Sequence, residues 1–448
     1  MADNVASLLK RGILDTLLQV AATTGVRFAL ILAIFVLSRF VSNAEIATYD
    51  LFVVASSILL ILLTLGLDSG LVVVARTLDQ QERAAYLWLS LAMSVALSLA
   101  LYLPLRYGAA ALGLGALFDV RVFTTAYLYA VANALMMLLF SYHRWLGKAF
   151  AASVIIVAAN VIGFVSATIA FVVEGTVAAF IKGLLLGSLA GVVVLLAYVL
   201  LKVPFPAVLR NRDIAKRLAR QLIMMSWPFG IASFVLIARR ALDRAIILAM
   251  GMSTILGAYA LVSRSGEVAA FLFALPALGF APIIVRDHAK PAGRHIAQLL
   301  YGGYLILALV VIAAAGALWG HFGASLFPEN AREAAPVFLA LLASNLFFTE
   351  TTVAGFGFVI VQRTLSVAAI SLLFIIVNVA VAVPLSMMGY GLPAVAAGFL
   401  VSSFVHSSLF IYLSEKHTRF GYPLRLIFTG KLLVTVLLLY MLAGASPA

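Results

Sequence analysis

Residues 149–201 decide the fold class, because they read AFAASVIIVAANVIGFVSATIAFVVEGTVAAFIKGLLLGSLAGVVVLLAYVLL. This stretch holds only two charged side chains, Glu174 and Lys182, and a short polar turn divides it into runs at 149–173 and 176–201. A helix rises ~1.5 Å per residue, so ~20 apolar residues cross ~30 Å of hydrocarbon. The stretch therefore predicts two consecutive transmembrane helices.

The rest of the chain repeats this pattern of long apolar runs between short charged loops. Of its 448 residues, 65% are hydrophobic and only 10% are charged, and the mean hydropathy is +1.15. Soluble domains carry about 25% charged residues. The composition excludes a cytosolic enzyme, a nucleic-acid-binding module and a disordered chain, and it indicates an all-α polytopic membrane protein. The absence of cysteine excludes disulfides and thiol chemistry.

Twelve core transmembrane helices are predicted, at about 13–38, 49–70, 84–104, 122–142, 149–173, 176–201, 222–250, 254–284, 297–319, 334–358, 364–388 and 391–413. A thirteenth run, 426–444, contains Lys431 and either spans the membrane or lies at its interface. The continuous runs exclude transmembrane β-strands, which alternate polar and apolar residues.

The predicted helices fall into two halves of six. They form an N-lobe (1–201), a basic cytoplasmic linker (202–221), a C-lobe (222–413) and a tail (414–448) with the extra helix. An offset of 210 residues aligns Tyr49 with Tyr259, Leu65 with Leu275 and Arg76 with Arg286. The halves are therefore expected to be pseudo-symmetric about an axis along the membrane normal.

The formal net charge of +13 is a topology signal rather than a sign of nucleic-acid binding. A cytoplasmic N-terminus places about five times as many lysines and arginines inside as outside, which agrees with the positive-inside rule.

Charges within the spans are the candidate functional residues, because each costs at least ~2.5–3.5 kcal/mol at a helix centre. Arg27 lies midway along the first span, where it faces a water-filled cavity, snorkels or forms a structural pair. The seventh span contains ARRALDR, which places Arg239, Arg240, Asp243 and Arg244 within an arc of about 140°. Asp243 is expected to pair with Arg239 or Arg240, so an excess of positive charge remains for water or an anion to solvate.

Four more ionisable residues complete this set. Arg264 and Glu267, in SRSGE of the eighth span, form a satisfied i, i+3 pair or hold a ligand. Glu350 is a lone carboxylate in the tenth span that suits proton or cation coupling. Asp68 lies near the inner end of the second span and is a weaker candidate for the same role.

Several kinds of site are not predicted. No G-x-x-x-x-G-K-[ST] loop is present, and no soluble region is large enough for an ATPase or another enzyme. Gly183, Gly187 and Gly191 form a ridge that predicts close helix packing rather than phosphate binding. His406 is alone in its span, so no metal site is expected.

The stretch 222–264, LIMMSWPFGIASFVLIARRALDRAIILAMGMSTILGAYALVSR, resembles Wzx-type oligosaccharide flippases. Their proline near the start of the seventh span, late Asp-Arg, glycine and Gly-x-Tyr correspond here to Pro228, Asp243-Arg244, Gly251 and Gly257-Ala258-Tyr259. LTLGLDSGLVVVAR in the amino-terminal half and NVAVAVPLSMMGYGLPAVAAGFLVSS (378–403) are also similar to the family, and the resemblance covers about 8–413. The tail departs from it, with one candidate span rather than none or two.

The resemblance implies a member of the multidrug/oligosaccharidyl-lipid/polysaccharide (MOP) exporter superfamily. It implies a V-shaped pair of six-helix lobes around a cationic cavity. Its substrate would be polyprenyl-pyrophosphate-linked oligosaccharide, such as an O-antigen or exopolysaccharide unit, moved from the cytoplasmic to the periplasmic leaflet of a bacterial inner membrane. Membrane lipids and other polysaccharide-assembly proteins are the expected partners, and a monomer is expected.

The charge pattern and the family resemblance both point to the arginines, because guanidinium binds phosphate through charge-assisted hydrogen bonds. We expect unpaired guanidinium groups to share one solvated vestibule. The residues expected to bind the pyrophosphate are Arg27, Arg239, Arg240, Arg244 and Arg264. Those expected to orient the arginines or to couple transport to H⁺ or Na⁺ are Asp243, Glu267, Glu350 and Asp68. The alternatives are a cation-coupled multidrug exporter of the same superfamily and an intramembrane glycan-processing enzyme.

Overall fold

The computed structural model describes residues 26–68, 79–111, 120–145, 149–203, 205–252, 256–268, 284, 288–326, 331–355, 357–358 and 364–444. Within these ranges the chain is all-helical and contains no β-strand. The helices, numbered in chain order, are α1 (Val26–Leu37), α2 (Asn43–Thr64), α3 (Gln80–Ala111), α4 (Val120–Trp145), α5 (Ala149–Glu174), α6 (Val177–Lys202), α7 (Arg212–Ala249), α8 (256–268), α9 (Pro291–Leu326), α10 (Ala331–Ala354), α11 (Thr364–Met387), α12 (Gly391–Thr418) and α13 (Leu424–Gly444).

Ten helices of the described chain, α2–α6 and α9–α13, are long and apolar enough to cross a membrane. They confirm nine of the twelve predicted core spans and show that the thirteenth run is a helix of spanning length. The predicted spans 13–38 and 254–284 lie partly outside the described residues. The predicted seventh span, 222–250, lies in a longer helix, because α7 begins at Arg212. Its first turns bury Leu218 and Leu222 at i, i+4 against the core, which stabilises them as helix.

The chain divides into two compact units, Met1–Ala238 and Arg239–Ala448. The boundary between them lies within α7. The predicted lobes, the linker 202–221 and the tail 414–448 stay predictions.

In the first unit, α5 and α6 are joined by a tight turn. Gly175 has a φ of 67°, which glycine adopts without steric cost, and this residue ends α5. Thr176 caps α6 because its side chain accepts a hydrogen bond from the Ala179 amide at 3.3 Å. The two helices then run back along each other as the sequence predicted.

The glycine ridge of α6 lies in the contact between these helices. A Cβ added at Gly187 would lie 2.2 Å from the Gly163 Cα of α5, and one at Gly183 would lie 2.3 Å from the Ala167 Cα. At Gly191 it would meet the Met136 sulfur and the Ala159 side chain. The predicted packing role is confirmed, because only glycine permits so close an approach of the backbones.

A second close contact in this unit joins α7 to the turn after α2. Leu65 and Gly66 have φ values of 44° and 72° and reverse the chain there. A Cβ at Gly230 of α7 would lie 2.7 Å from the Leu65 carbonyl carbon. Leu65 and Gly66 are therefore packed against α7.

In the second unit, α12 packs against α10, α11 and α13, and α9 packs against α10. The face of α12 that does so is lined by small residues and includes Gly398, whose Cβ would lie 2.6 Å from Ala382 of α11. Trp319 of α9 stacks on Phe338 of α10, with ring centroids 4.6 Å apart. α10 and α12 are the most buried of the described spans, which places polar groups on them in a dry interior.

The two tyrosines that the 210-residue offset aligns each contact the preceding helix within their own unit. Tyr49 of α2 donates to the Leu30 carbonyl of α1 at 2.9 Å, and Tyr259 of α8 donates to Asp243 of α7 at 2.5 Å. Both rings are buried. Each tyrosine thus joins its helix to the preceding one, through a backbone carbonyl for Tyr49 and a carboxylate for Tyr259.

Candidate substrate-binding and coupling residues

The late part of α7 and the start of α8 place a buried ion pair beside an aromatic ring. Arg244 donates from Nη1 to Asp243 Oδ2 at 2.6 Å, and its backbone amide donates to Asp243 Oδ1 at 2.8 Å. Tyr259 donates its hydroxyl to Asp243 Oδ2, and the Arg244 guanidinium lies 5.3 Å from the centre of the Tyr259 ring. Since Asp243 is 0% and Arg244 2% exposed, the two opposite charges offset each other in a buried position.

Asp243 pairs with Arg244 in the described residues. The predicted pairing of Asp243 with Arg239 or Arg240 stays a prediction. Adjacent helical residues do not face each other, but the arginine stem is long enough to fold back over the Tyr259 ring. The side chains of Arg239 and Arg240, and that of Arg27 in α1, lie outside the described residues.

A second buried ion pair lies further along α8. Arg264 donates from Nη1 to Glu267 Oε2 at 2.7 Å, and the side chains are 3% and 7% exposed. The predicted i, i+3 pairing is thereby confirmed. Gly266, between them, lies against Leu342 and Asn345 of α10, so the pair is fixed by close packing of α8 on α10.

The expectation of unpaired guanidinium groups is therefore wrong for Arg244 and Arg264. Burial of an isolated cation costs several kcal/mol, and a carboxylate within hydrogen-bonding distance offsets much of that penalty. The sequence holds such a carboxylate within one helical turn of each arginine. Whether these arginines bind substrate stays a prediction.

A third ion pair connects four helices of the second unit. Lys431 of α13 donates from Nζ to Glu350 Oε2 of α10 at 2.7 Å and to the Ser407 hydroxyl of α12 at 2.5 Å. Tyr301 of α9 donates its hydroxyl to Glu350 Oε1. The Lys431 ammonium also lies 5.3 Å from the centre of the Phe347 ring. We call Glu350, Lys431, Tyr301 and Ser407 the α13 cluster.

The α13 cluster corrects the interpretation of Glu350 as a lone carboxylate. Glu350 is 1% exposed and Lys431 4% exposed, so each neutralises the other in the interior. The sequence indicated one of the two partners, because Lys431 interrupts the apolar run 426–444. It could not show which carboxylate Lys431 meets, since the two residues are 81 positions apart.

The cluster is closed at one end by the loop between α12 and α13. Tyr422 stacks edge-on against Tyr301, with ring centroids 4.7 Å apart. Burial, and then the nearby Glu415 charge, raise the pKa of Tyr422 above its usual value. Asp68, the remaining candidate, is half-buried just after α2 and has an interaction partner.

Comparison with protein families gives one match over more than half of the chain. A family model described as "Polysaccharide biosynthesis protein" matches residues 14–269. A comparison with curated proteins returned no match.

Solved structures of MATE transporters share the fold. A crystal structure of MATE in complex with MaD3S is 15% identical, with a TM-score of 0.59, over 92% of this chain and 96% of that one. A variant of the Vibrio cholerae MATE transporter VcmN is 14% identical, with a TM-score of 0.63, over 94% and 98%. An outward-facing multidrug resistance MATE family transporter of the MOP superfamily is 14% identical, with a TM-score of 0.62, over 92% and 96%. At such identities the similarity shows the fold alone.

Proposed function

The chain belongs to the polysaccharide biosynthesis protein family, and from that premise we propose that it is a flippase for lipid-linked oligosaccharide. The cargo would be a polyprenyl-pyrophosphate-linked oligosaccharide, moved from the cytoplasmic to the periplasmic leaflet of a bacterial inner membrane. The transporter fold and the ten apolar helices of spanning length in the described chain support a role in membrane transport.

The observation that carries the proposal is the pair of buried arginines, Arg244 and Arg264. A pyrophosphate head has about two negative charges and cannot enter hydrocarbon unaided. Guanidinium holds phosphate oxygens through bidentate, charge-assisted hydrogen bonds. A membrane protein that keeps two guanidinium groups in its apolar interior thus has the chemistry to carry such a head.

Binding in this proposal is an exchange of partners. In the empty protein, Asp243 and Glu267 neutralise Arg244 and Arg264, so the helices tolerate the burial. Phosphate oxygens then compete for the guanidinium N–H groups, while Asp243 keeps the hydroxyl of Tyr259 as a donor. We propose that Arg27, Arg239 and Arg240 add further positive charge along the same path.

Alternating access would carry the head across while the lipid tail stays in the bilayer. Export of an anion is favoured by an inside-negative potential, at ~2.3 kcal/mol per charge per 100 mV. We propose Glu350 and Asp68 as the carboxylates that couple transport to H⁺ or Na⁺. The working unit in this proposal is a monomer.

The test measures flipping of a fluorescent lipid-linked oligosaccharide in proteoliposomes. We expect Arg244→Ala and Arg264→Ala each to slow flipping by at least about tenfold, since each removes a contact to charge worth ~1.5–3 kcal/mol. Lys182→Ala is the matched control, because this exposed lysine of α6 meets Glu174 only at 3.8 Å. Variants that fold and flip at the parental rate would contradict the assignment of these arginines.

A second candidate is a cation-coupled multidrug exporter, which the MATE fold favours. Such an exporter binds cationic drugs and is expected to offer them free carboxylates. In the described part of the second unit, Asp243, Glu267 and Glu350 each already hold a cation. Export of an organic cation by proteoliposomes that do not flip lipid-linked oligosaccharide would establish this alternative.

A further inference from the structure

The first turns of α7 carry a cationic groove that is formed by residues other than the buried arginines. Lys216, Arg217, Arg220, Gln221 and Met224 line a cavity of about 460 Å³ that is open on one side. We call it the α7 groove. All three cations are exposed. Since Lys216 and Arg220 are four positions apart, their side chains lie on one face of the helix.

The charges of the groove are only partly matched by protein. Arg217 donates to Glu82 of α3 at 3.2 Å, at an exposed position. In the described residues, neither Lys216 nor Arg220 forms a hydrogen bond or an ion pair with its side chain. The groove therefore presents a surplus of about two positive charges, which suits a ligand with two negative charges.

The same face of α7 continues as an exposed apolar stripe. Its members are Met224, Trp227, Ile231 and Phe234, which are 59%, 42%, 43% and 38% exposed. At 100° per residue they follow Lys216 and Arg220 within an arc of about 80°. We call these four residues the α7 stripe.

Two other faces of α7 fix this orientation. Leu218 and Leu222 are buried in the core of the first unit, and Gly230 lies against the turn after α2. At ~1.5 Å per residue the stripe runs ~15 Å from Met224 to Phe234, which is about half of the hydrocarbon thickness. Along α7, the cationic groove is thus followed by an apolar stripe that is about as long as one leaflet of the membrane is thick.

We propose that the α7 groove and the α7 stripe together bind one lipid that carries a diphosphate head. The phosphates lie between Lys216 and Arg220, and the first isoprenoid units of the tail lie along Trp227 and Ile231. Arginine favours phosphate because its fork of N–H donors matches the phosphate oxygens, and a diphosphate matches the surplus charge better than a monoanionic phospholipid does. The groove then receives the lipid-linked substrate before transport, a role that rests on the proposed function.

The binding test uses the full chain in phosphatidylcholine nanodiscs, titrated with farnesyl diphosphate. Each lysine or arginine near a membrane surface contributes ~1 kcal/mol to anion attraction, so Lys216→Gln with Arg220→Gln should weaken binding about thirtyfold. The matched control is Lys416→Gln with Arg425→Gln, which removes two exposed cations of the second unit and should leave binding unchanged.

The tail is tested by Ile231→Asn, which should weaken farnesyl diphosphate but leave inorganic pyrophosphate unaffected. Equal competition by phosphatidylglycerol would show an ordinary lipid-facing surface and would overturn the proposal. So would inorganic pyrophosphate binding as tightly as farnesyl diphosphate, or a control variant that weakens binding as much as the groove variant.

Flipping assays separate this proposal from the proposed function. If the parent binds farnesyl diphosphate through the groove but flips no lipid-linked oligosaccharide, the site stands and the proposed function fails. If the parent flips and the groove variant neither loses binding nor needs more substrate for half-maximal flipping, the site fails and the proposed function stands.

Discussion

Removal of either charge of the α13 cluster should destabilise the protein far more than removal of both. In Lys431→Met, the Glu350 carboxylate stays 1% exposed and keeps only the Tyr301 hydroxyl as a described donor. In Glu350→Gln, the Lys431 ammonium stays 4% exposed, with the Ser407 hydroxyl and the rings of Phe347 and Phe404 as its described contacts. Each single change therefore leaves an uncompensated charge in a dry interior.

The magnitude follows from this geometry. Removal of one partner of a buried ion pair costs about 3–5 kcal/mol, because the desolvation of the other is no longer offset. Replacement of both partners by uncharged groups of similar size is often neutral, so Glu350→Gln with Lys431→Met should lie within about 1 kcal/mol of the parent. The single changes are thus strongly coupled, although the residues lie on different helices.

The free energy of unfolding is measured by titration with sodium dodecyl sulfate in mixed micelles, with helix content as the signal. Lys182→Met is the control, because its ion pair with Glu174 is long and exposed and should contribute less than about 0.5 kcal/mol. Two results would refute the reasoning: single variants within about 1 kcal/mol of the parent, or a double variant as unstable as the sum of the singles. Either would mean that the pair is hydrated.

Three further predictions use the same titration. Gly187→Val should destabilise the protein by about 1–3 kcal/mol, because α5 and α6 must separate to make room for the side chain. Its control, Gly302→Ala, lies at an open position inside α9 and should stabilise the protein by about 0.5–1 kcal/mol. Equal effects of the two changes would contradict the packing argument. Tyr259→Phe removes a hydrogen bond to the buried Asp243 carboxylate and should cost about 1.5–3 kcal/mol, and an unchanged stability would mean that the bond contributes nothing. Arg419→Gly should stabilise by about 0.5 kcal/mol, because this exposed residue ends α12 at a φ of 51°, and a loss of stability would show that its side chain matters more than its backbone.

The sequence predicted contacts between residues that are close together along the chain, and it did not predict contacts between residues that are far apart. A long apolar run indicates a helix surrounded by lipid, and such runs therefore predicted most of the described spans. Arg264 and Glu267 pair within one turn of α8, so helical spacing alone predicted their contact. Glu350 and Lys431 meet only because α10, α12 and α13 pack together, and no local pattern carries that information.

The buried ion pairs alter the physical account of an arginine-based transporter. The described part of the second unit contains three buried ion pairs: Arg244–Asp243, Arg264–Glu267 and Lys431–Glu350. Free guanidinium groups would attract any anion, and in the empty protein they would destabilise the helices that carry them. A paired guanidinium exchanges its carboxylate only for a ligand that replaces the lost negative charge and the lost hydrogen bonds. In the proposed function the carboxylates therefore stabilise the empty state and also raise selectivity, because a diphosphate can offer several acceptors to one arginine whereas a singly charged anion offers few.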